Sequence, residues 1–292
     1  MKEISLLITI FLNLISYISE MDFLKLILFG LLTALWFTGF SSGENYHIGG
    51  RSAAMGSSSV MLQDSWAIHH NQAGLAWLDQ KTVGAYYESR YTTSALGLQG
   101  GAFVLPTEAG TFGLSVCAFG YSLYNETKLG LAYARKLSPM FSVGIQLDYF
   151  SIGIGDNYGR VNIFGGEVGI MAVLTEQLTV GAHIFNPSRA RVAEYNDEHL
   201  PTILRFGASY TFSEKVLMTA EMEKDIDQKP VFKSGLEYNI SKPIFIRAGI
   251  ASNPFVSSFG FGVRLNSFEF DLATSFHSVL GYTPQLSLGY TF

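Results

Sequence analysis

The chain has 292 residues, of which 48% are hydrophobic, 14% aromatic and only 15% charged, with a formal net charge of -5. A water-exposed globule usually carries about 25% charged residues, so this composition argues against an ordinary soluble surface, and the lack of any basic block excludes nucleic acid as a natural partner. The single cysteine, Cys117, excludes an intramolecular disulfide, and its apolar neighbours point to packing rather than thiol chemistry.

Two apolar stretches open the chain, Ile4 to Ile18 and Phe23 to Phe40, divided by Glu20, Met21 and Asp22. The second has the anatomy of a secretory leader: Lys25, an apolar run from Leu26 to Phe40, then small Ser41, Ser42 and Gly43 before Glu44. Residues 1–43 are therefore expected to be a leader whose true start is Met21, with residues 1–20 an over-extension of the reading frame. A pair of transmembrane helices is the competing expectation, since each stretch approaches the minimum span of about 17 residues.

Residues 44–80 show no regular alternation. They contain Gly49-Gly50-Arg51-Ser52-Ala53-Ala54-Met55-Gly56, then Asp64-Ser65-Trp66-Ala67, then Asn71-Gln72-Ala73-Gly74-Leu75-Ala76. The stretch resembles the N-terminal pattern of the PorV/PorQ-like proteins of the Bacteroidetes, within the wider FadL-type group of outer-membrane barrels. Gly50, Arg51, Met55, Gly56, Asp64, Trp66, Asn71, Ala73, Gly74 and Leu75 carry the likeness. Gln72 departs from it, standing where that family has Pro, and the chain lacks long insertions. The resemblance implies a barrel in the outer membrane of a Gram-negative, Bacteroidetes-like cell. It further implies a surface-associated adaptor of type IX-like secretion, with secreted cargo or secretion-system proteins as partners. The wider group implies instead a channel for small hydrophobic or amphipathic solutes.

From Lys81 to Phe292 apolar and polar residues alternate in short segments bounded by turn residues, the dyad period of a transmembrane strand. Strands are predicted near 81–90, 94–106, 110–122, 127–137, 140–151, 160–174, 177–186, 202–213, 215–224, 230–241, 243–252, 257–266, 267–278 and 284–292. The fold class is thus all-β: an outer-membrane barrel of about fourteen antiparallel strands over residues 81–292, an even number as single-chain barrels require. Every second connection is tight, such as Pro106 to Ala109 and Ser241 to Pro243. The others, including Ser122 to Glu126 and Pro187 to Pro201, are expected to be longer outer loops. Aromatics near strand ends, among them Tyr86, Tyr87, Tyr121, Tyr149, Phe150, Tyr282 and Tyr290, resemble interfacial girdles. A soluble sandwich would share the alternation, but not a polar face so poor in Lys.

The last strand, Gln285 to Phe292, places Leu286, Leu288, Tyr290 and Phe292 towards lipid. Its terminal Tyr290 and Phe292 resemble the signal read by the barrel assembly machinery, which with outer-membrane lipid is an expected partner. A fourteen-stranded lumen is wider than the roughly eight-stranded one that side chains fill, so residues 44–80 are expected to form an internal hatch rather than a periplasmic cap. Arg51 and Asp64 are expected to dock on wall charges, with Trp66 and Trp77 as apolar anchors.

The predicted lumen face carries Glu88, Gln99, Asp148, Glu167, His183, Arg205, Glu221, Glu223, Lys233, Glu237, Arg247, Arg264, Glu269 and Asp271. Most should pair, Lys233 with Glu221 or Glu223 and Arg264 with Glu269 or Asp271. An unpaired subset around Arg205, Arg247 and Arg264 would suit an anionic headgroup. His183, His277 and Asp148 have no catalytic spacing, so no enzyme activity is expected. His69, His70, Asp225 and Asp227 lack a metal-ligand framework and read as solvated loop residues, so neither metal nor cofactor is expected. The longest loop, Asn186 to Pro201, with Arg189, Arg191, Glu194, Asp197 and Glu198, is the expected contact for a protein partner.

Overall fold

The computed structural model describes residues 45–155, 159–193 and 198–292. The expected leader and its start at Met21 lie outside the described residues, as do Glu194 and Asp197. Fourteen antiparallel strands close into a barrel: β1 (Thr82–Ser89), β2 (Gly97–Thr107), β3 (Gly110–Tyr121), β4 (Tyr124–Ser138), β5 (Phe141–Ile154), β6 (Gly159–Val173), β7 (Leu178–Phe185), β10 (Ile203–Ser213), β11 (Val216–Asp225), β12 (Val231–Ser241), β13 (Ile244–Ala251), β14 (Val256–Leu265), β15 (Phe268–His277) and β16 (Gly281–Thr291). Two short strands, β8 (Arg191–Ala193) and β9 (Glu198–His199), form a separate hairpin within the connection between β7 and β10. Closure is made by β1 against β16, with Val83 opposite Tyr290 and Glu88 opposite Gln285. No helix among the described residues is long and apolar enough to cross a membrane; the crossing is made by strands.

Alternation sets the faces. Leu131, Ile145, Leu147 and Phe206 are 60%, 56%, 60% and 50% exposed on the outer surface. Their chain neighbours Ala132, Gln146, Asp148 and Arg205 are buried in the lumen. A sheet closed on itself has no edge and leaves no ladder hydrogen bond to lipid, which is why an apolar outer face is stable only in this closed form. Where period-two counting fails, the reason is local. Gln99 is exposed on the outer face, because Leu98, fully buried opposite Glu88, takes the lumen side of β2. Tyr86 and Phe150 belong to no girdle: both point inward, Tyr86 donating to Glu88 Oε2 at 2.6 Å and Phe150 stacking edge-on against Phe185. The connection between β3 and β4 is also tighter than expected, with only Ser122 and Leu123 between the strands.

Residues 45–80 lie inside the barrel as a short helix (Gly50–Ala54) and two 3-10 turns (Ser65–His69 and Gln72–Trp77). Short elements suit a plug, since each turn can redirect the chain to face another sector of wall. Asp64 caps the first 3-10 turn, its Oδ1 accepting from Trp66 N at 3.0 Å, and Asn71 caps the second through Ala73 N at 3.2 Å.

Candidate functional site: the plugged lumen

Wall glycines bring the plug close. A Cβ built on Gly144 would meet Ala73 N at 2.4 Å, one on Gly181 would meet Val60 O at 2.3 Å, and one on Gly249 would meet Gly56 N at 2.1 Å. Gly235 likewise faces Met55, and Gly260 faces Ala54. Glycine in a strand weakens it, and here the return is backbone-to-backbone approach between wall and hatch. The motif residue Gly56 itself has φ +65°, a left-handed conformation, and its missing Cβ faces the backbone of Ile250.

The remaining motif residues are brought together in this plug. Arg51 grips Glu237 on β12 bidentately, Nη2 to Oε1 at 2.7 Å and Nε to Oε2 at 2.8 Å. Its third donor, Nη1, reaches Asp64 Oδ2 at 3.2 Å. Asp64 therefore docks on no wall charge: it braces Arg51 from within the hatch. Burial raises the Asp64 carboxyl above its ordinary value despite Arg51. Gly50 N donates to Ser287 Oγ at 3.1 Å. Asn71 Nδ2 donates to Val60 O and, across to the wall, to Ile170 O at 3.0 Å. Met55 and Leu75 are fully buried, and Gly74 passes under the carbonyl of Leu62. Trp66 packs on Gly84 and edge-on against Tyr86, whereas Trp77 combines both modes of anchoring: its indole donates to Ser142 Oγ at 2.9 Å and lies under Lys136 Nζ.

Three charged groupings line the wall. In the first, Lys128 on β4 is paired with Glu167, and lies 3.5 Å from Asp148 Oδ1. Glu167 also contacts His183 Nε2 at 2.9 Å and accepts from Gln72 Nε2 at 2.7 Å. In the second, Lys233 Nζ lies 2.7 Å from Glu223 Oε2, 3.3 Å from Glu221 Oε1 and 2.8 Å from His47 Nε2, while Arg205 Nε donates to Glu223 at 2.7 Å. Glu221 also receives the backbone N–H groups of Ser59 and Val60. In the third, Arg247 joins Glu237 and Asp271, both at 2.6 Å. Arg264 pairs with Glu269 rather than with Asp271. Every wall charge singled out in the sequence faces the lumen, and each has an oppositely charged or hydrogen-bonding partner; Arg205, Arg247 and Arg264, expected to be unpaired, each hold a carboxylate, although Arg205 Nη1 and Nη2 and Arg247 Nη2 have no hydrogen-bond partner among the described residues.

His47, Glu221 and Glu223 bring ligand-type atoms within 4.8 Å of one another, a set of donors that suits a divalent cation. Lys233's ammonium sits among them and serves as their cation. Nε2 of His47 accepts from that ammonium, so it cannot also donate to Glu223. Burial, then the Lys233 charge, holds the imidazole down at about 4, in keeping with this acceptor role. His69 and His70 are not solvated loop residues: both are buried in the hatch, where Nε2 of each meets a backbone carbonyl, Gly101 and Ile48 respectively. Burial, then Lys128, holds His69 at about 4.

Lys128, Gln72 and His47 were missed in the sequence as parts of these groupings. Lys128 does fall on the polar side of its strand's alternation, the one available signal. Gln72 and His47 sit in the aperiodic hatch, where no spacing says which side chain meets the wall. The expected partner loop also folds inward in part. Val192 and Leu200 join Phe150, Ile152, Ile163, Phe185 and Ile203 in an apolar cluster at the long-loop end. Arg189 remains exposed.

A cavity of about 650 Å³ opens at the opposite, short-turn end, between Ala76, Leu78 and Asp79 of the hatch and Pro106, Thr111, Ala134 and Lys136 of the wall. A second, of about 220 Å³, lies beside His47, Glu223 and Lys233 under the β13–β14 connection.

No family model matches the chain, and no curated protein matches it in sequence. Its fold has close counterparts. The CymD monoaromatic hydrocarbon channel superposes with a TM-score of 0.64 at 15% identity, covering 84% of this chain and 97% of that one. The Ralstonia pickettii toluene transporter TbuX gives 0.63 at 14% identity, covering 84% and 98%. A Pseudomonas aeruginosa FadL homologue gives 0.59 at 13% identity, covering 87% and 99%. The chain is thus similar in fold to FadL-type outer-membrane barrels.

Proposed function

We propose that the protein is an outer-membrane channel admitting small hydrophobic solutes, with residues 45–80 as the gate. The observation that carries this reading is the hatch itself: a separate segment held inside a fourteen-stranded barrel by non-covalent contacts, above a cavity of about 650 Å³ at the short-turn end. Short turns mark the periplasmic end of outer-membrane barrels, so that cavity faces the periplasm and the β8–β9 hairpin faces the outside. Support comes from the fold shared with proteins described as hydrocarbon channels and toluene transporters. The apolar outer surface and alternating strands support a Gram-negative outer membrane as the location.

The test is uptake of labelled toluene by cells with an intact outer membrane, with and without the protein. Whole cells are needed because a plain phospholipid vesicle is itself permeable to toluene. Faster uptake with the protein supports the channel; equal uptake refutes it.

A second reading is favoured by a different observation. The hatch motif resembles that of PorV/PorQ-like proteins, and an adaptor of type IX-like secretion needs no open lumen, which suits a plug tied down by buried ion pairs. Cross-linking at the surface of intact Bacteroidetes cells would support it by recovering a stoichiometric exported protein; recovery of none would count against it.

A further inference from the structure

The hatch is fastened unevenly. The ion pair from described hatch residues to the wall, Arg51–Glu237, lands on β12, and the neutral His47, which accepts from Lys233 beside Glu223, meets β12 and β11. The bonds from Ser59, Val60, Gln72 and Trp77 land on β11, β6 and β5. Against β1 to β4 the interface is built differently: an apolar cluster of Ile48, Trp66, Ile68 and Leu75 from the hatch with Leu98, Ala102, Val104, Cys117, Ala132 and Ala134 from the wall. Among the described residues, Tyr46 Oη donates to Glu126 across it and His69 Nε2 meets the Gly101 carbonyl.

This apolar seam continues at both ends. Above, a narrow cleft lined by Tyr46, Cys117, Glu126, Thr127, Lys128, Phe150 and Ile152 shares Tyr46 and Cys117 with the seam. It also shares Phe150 and Ile152 with the apolar cluster at the outer mouth. Below, Ala76, Leu78 and Ala134 belong both to the seam or its flank and to the lining of the 650 Å³ cavity. Apolar residues therefore run from the outer mouth to the periplasmic end along one sector of the barrel, interrupted at the cleft only by Thr127 and by two partnered charges, Glu126 with Tyr46 and Lys128 with Glu167.

Beside Leu98 and Val104, much of the wall there is made of small residues. Gly100 and Gly113 are filled from the hatch side by Ile48 and Ile68, and Ala102, Cys117, Ala132 and Ala134 add little bulk. The seam is thus closed by hatch side chains, which can rotate or withdraw, rather than by the barrel. Parting it costs apolar contact that an apolar solute would restore, whereas parting the β11–β12 side would strip buried charges of their partners at several kcal/mol each.

We infer that the solute path is this seam between the hatch and β1–β4, and that its occupant is a small neutral apolar molecule. An anionic headgroup is disfavoured because the cations beside the path are already engaged: Lys128 is paired with Glu167 and Asp148 and faces the rings of Phe150 and Phe185, and Arg90 is paired with Glu88 and lies over the rings of Tyr46 and Phe119. The inference rests on the channel reading and sharpens it.

Toluene uptake by whole cells tests it with three variants, each first checked for heat-modifiable migration as a sign of a folded barrel. Ala132→Trp should abolish uptake by filling the seam from the wall. Ile68→Ala combined with Leu75→Ala should raise it by removing the hatch side chains that close the seam. Met61→Ala, which vacates space beside Gly207 on the far side of the hatch, should leave uptake unchanged. Should Ala132→Trp fail to fold, the Ile68/Leu75 pair decides. Native-level uptake in the seam variants, or a gain in Met61→Ala equal to that of the pair, overturns the path while leaving the channel standing. Uptake absent from the unaltered protein overturns both.

Discussion

Replacing Arg51 by Ala should loosen the hatch without unfolding the barrel. The guanidinium makes three short contacts, two to Glu237 and one to Asp64, with its side chain only 12% exposed. Removing one partner of a buried ion pair costs about 3–5 kcal/mol, mostly because the other charge is left desolvated. Here Glu237 keeps Arg247 Nε at 2.6 Å, so the orphan is Asp64, whose other partner shown is the Trp66 N–H. The cost should thus fall at the lower end, roughly 3 kcal/mol, which corresponds to about a hundredfold loss of amide protection if it is confined to hatch opening. Hydrogen exchange on purified protein would read this as faster exchange in peptides covering residues 45–64, with strands β3 to β5 unchanged. Adding Asp64→Asn should return part of the protection by removing the orphaned charge. Native protection of the hatch in Arg51→Ala, or an equal loss in hatch and strands, would refute the assignment of Arg51 as the hatch's main electrostatic tether.

Acid should weaken hatch docking. His47 and His69 lie at about 4 when docked and return towards 6.5 when released, so the released state binds more protons between those values. Stability is then full above pH 6.5 and falls as pH drops towards 4, by at most roughly 3 kcal/mol per imidazole. Asp64, raised by burial, acts in the opposite sense; proteolysis of the hatch at pH 7 and pH 5 would measure the net effect, expected as faster cleavage at pH 5. Gly249→Val should give a barrel that migrates normally but whose hatch is cut by protease, since even a Cβ would lie 2.1 Å from Gly56 N. Leu147→Arg, at a position 60% exposed on the outer face of β5, should destabilise the barrel by about 2–4 kcal/mol if it lies near the bilayer midplane, as reversible unfolding in lipid would show.

Much of the wall was legible because a membrane imposes a simple rule on each strand. Leu129, Phe206, Phe261 and Leu288 are outward and Arg205, Lys233, Arg247 and Asp271 inward, as alternation requires. The rule reads faces, not environments. It cannot see that Phe150 and Phe185, on lumen positions, gather with Val192 and Leu200 at the mouth. Nor can it assign partners where two lumen positions on adjacent strands carry compatible charges. Arg247 reaches Asp271 two strands away while Arg264, between them, takes Glu269. In the hatch the signal was compositional: Arg51 and Asp64 announced a buried polar contact, but only the fold places them against each other as well as against Glu237. Gln72, which stands where the family it resembles has Pro, donates to Glu167, and Asn71 caps the turn.

A plug inside a membrane barrel faces two opposed requirements. Fastened on all sides by buried ion pairs, it could move only by breaking several of them together, at a cost comparable to the whole stability of a typical domain. Held on all sides by apolar packing, it would have no fixed seat, since such packing is weakly directional and alternative registers differ little in energy. Dividing the perimeter resolves the conflict. Bidentate contacts such as Arg51–Glu237 set the position of one flank, while the flank made by Ile48, Ile68 and Leu75 is closed mainly by contacts that an apolar guest can replace. On this view the charges in the lumen bind no solute. They hold still the side of the gate that must not open, and selectivity lies with the side that meets the hatch mainly through apolar packing.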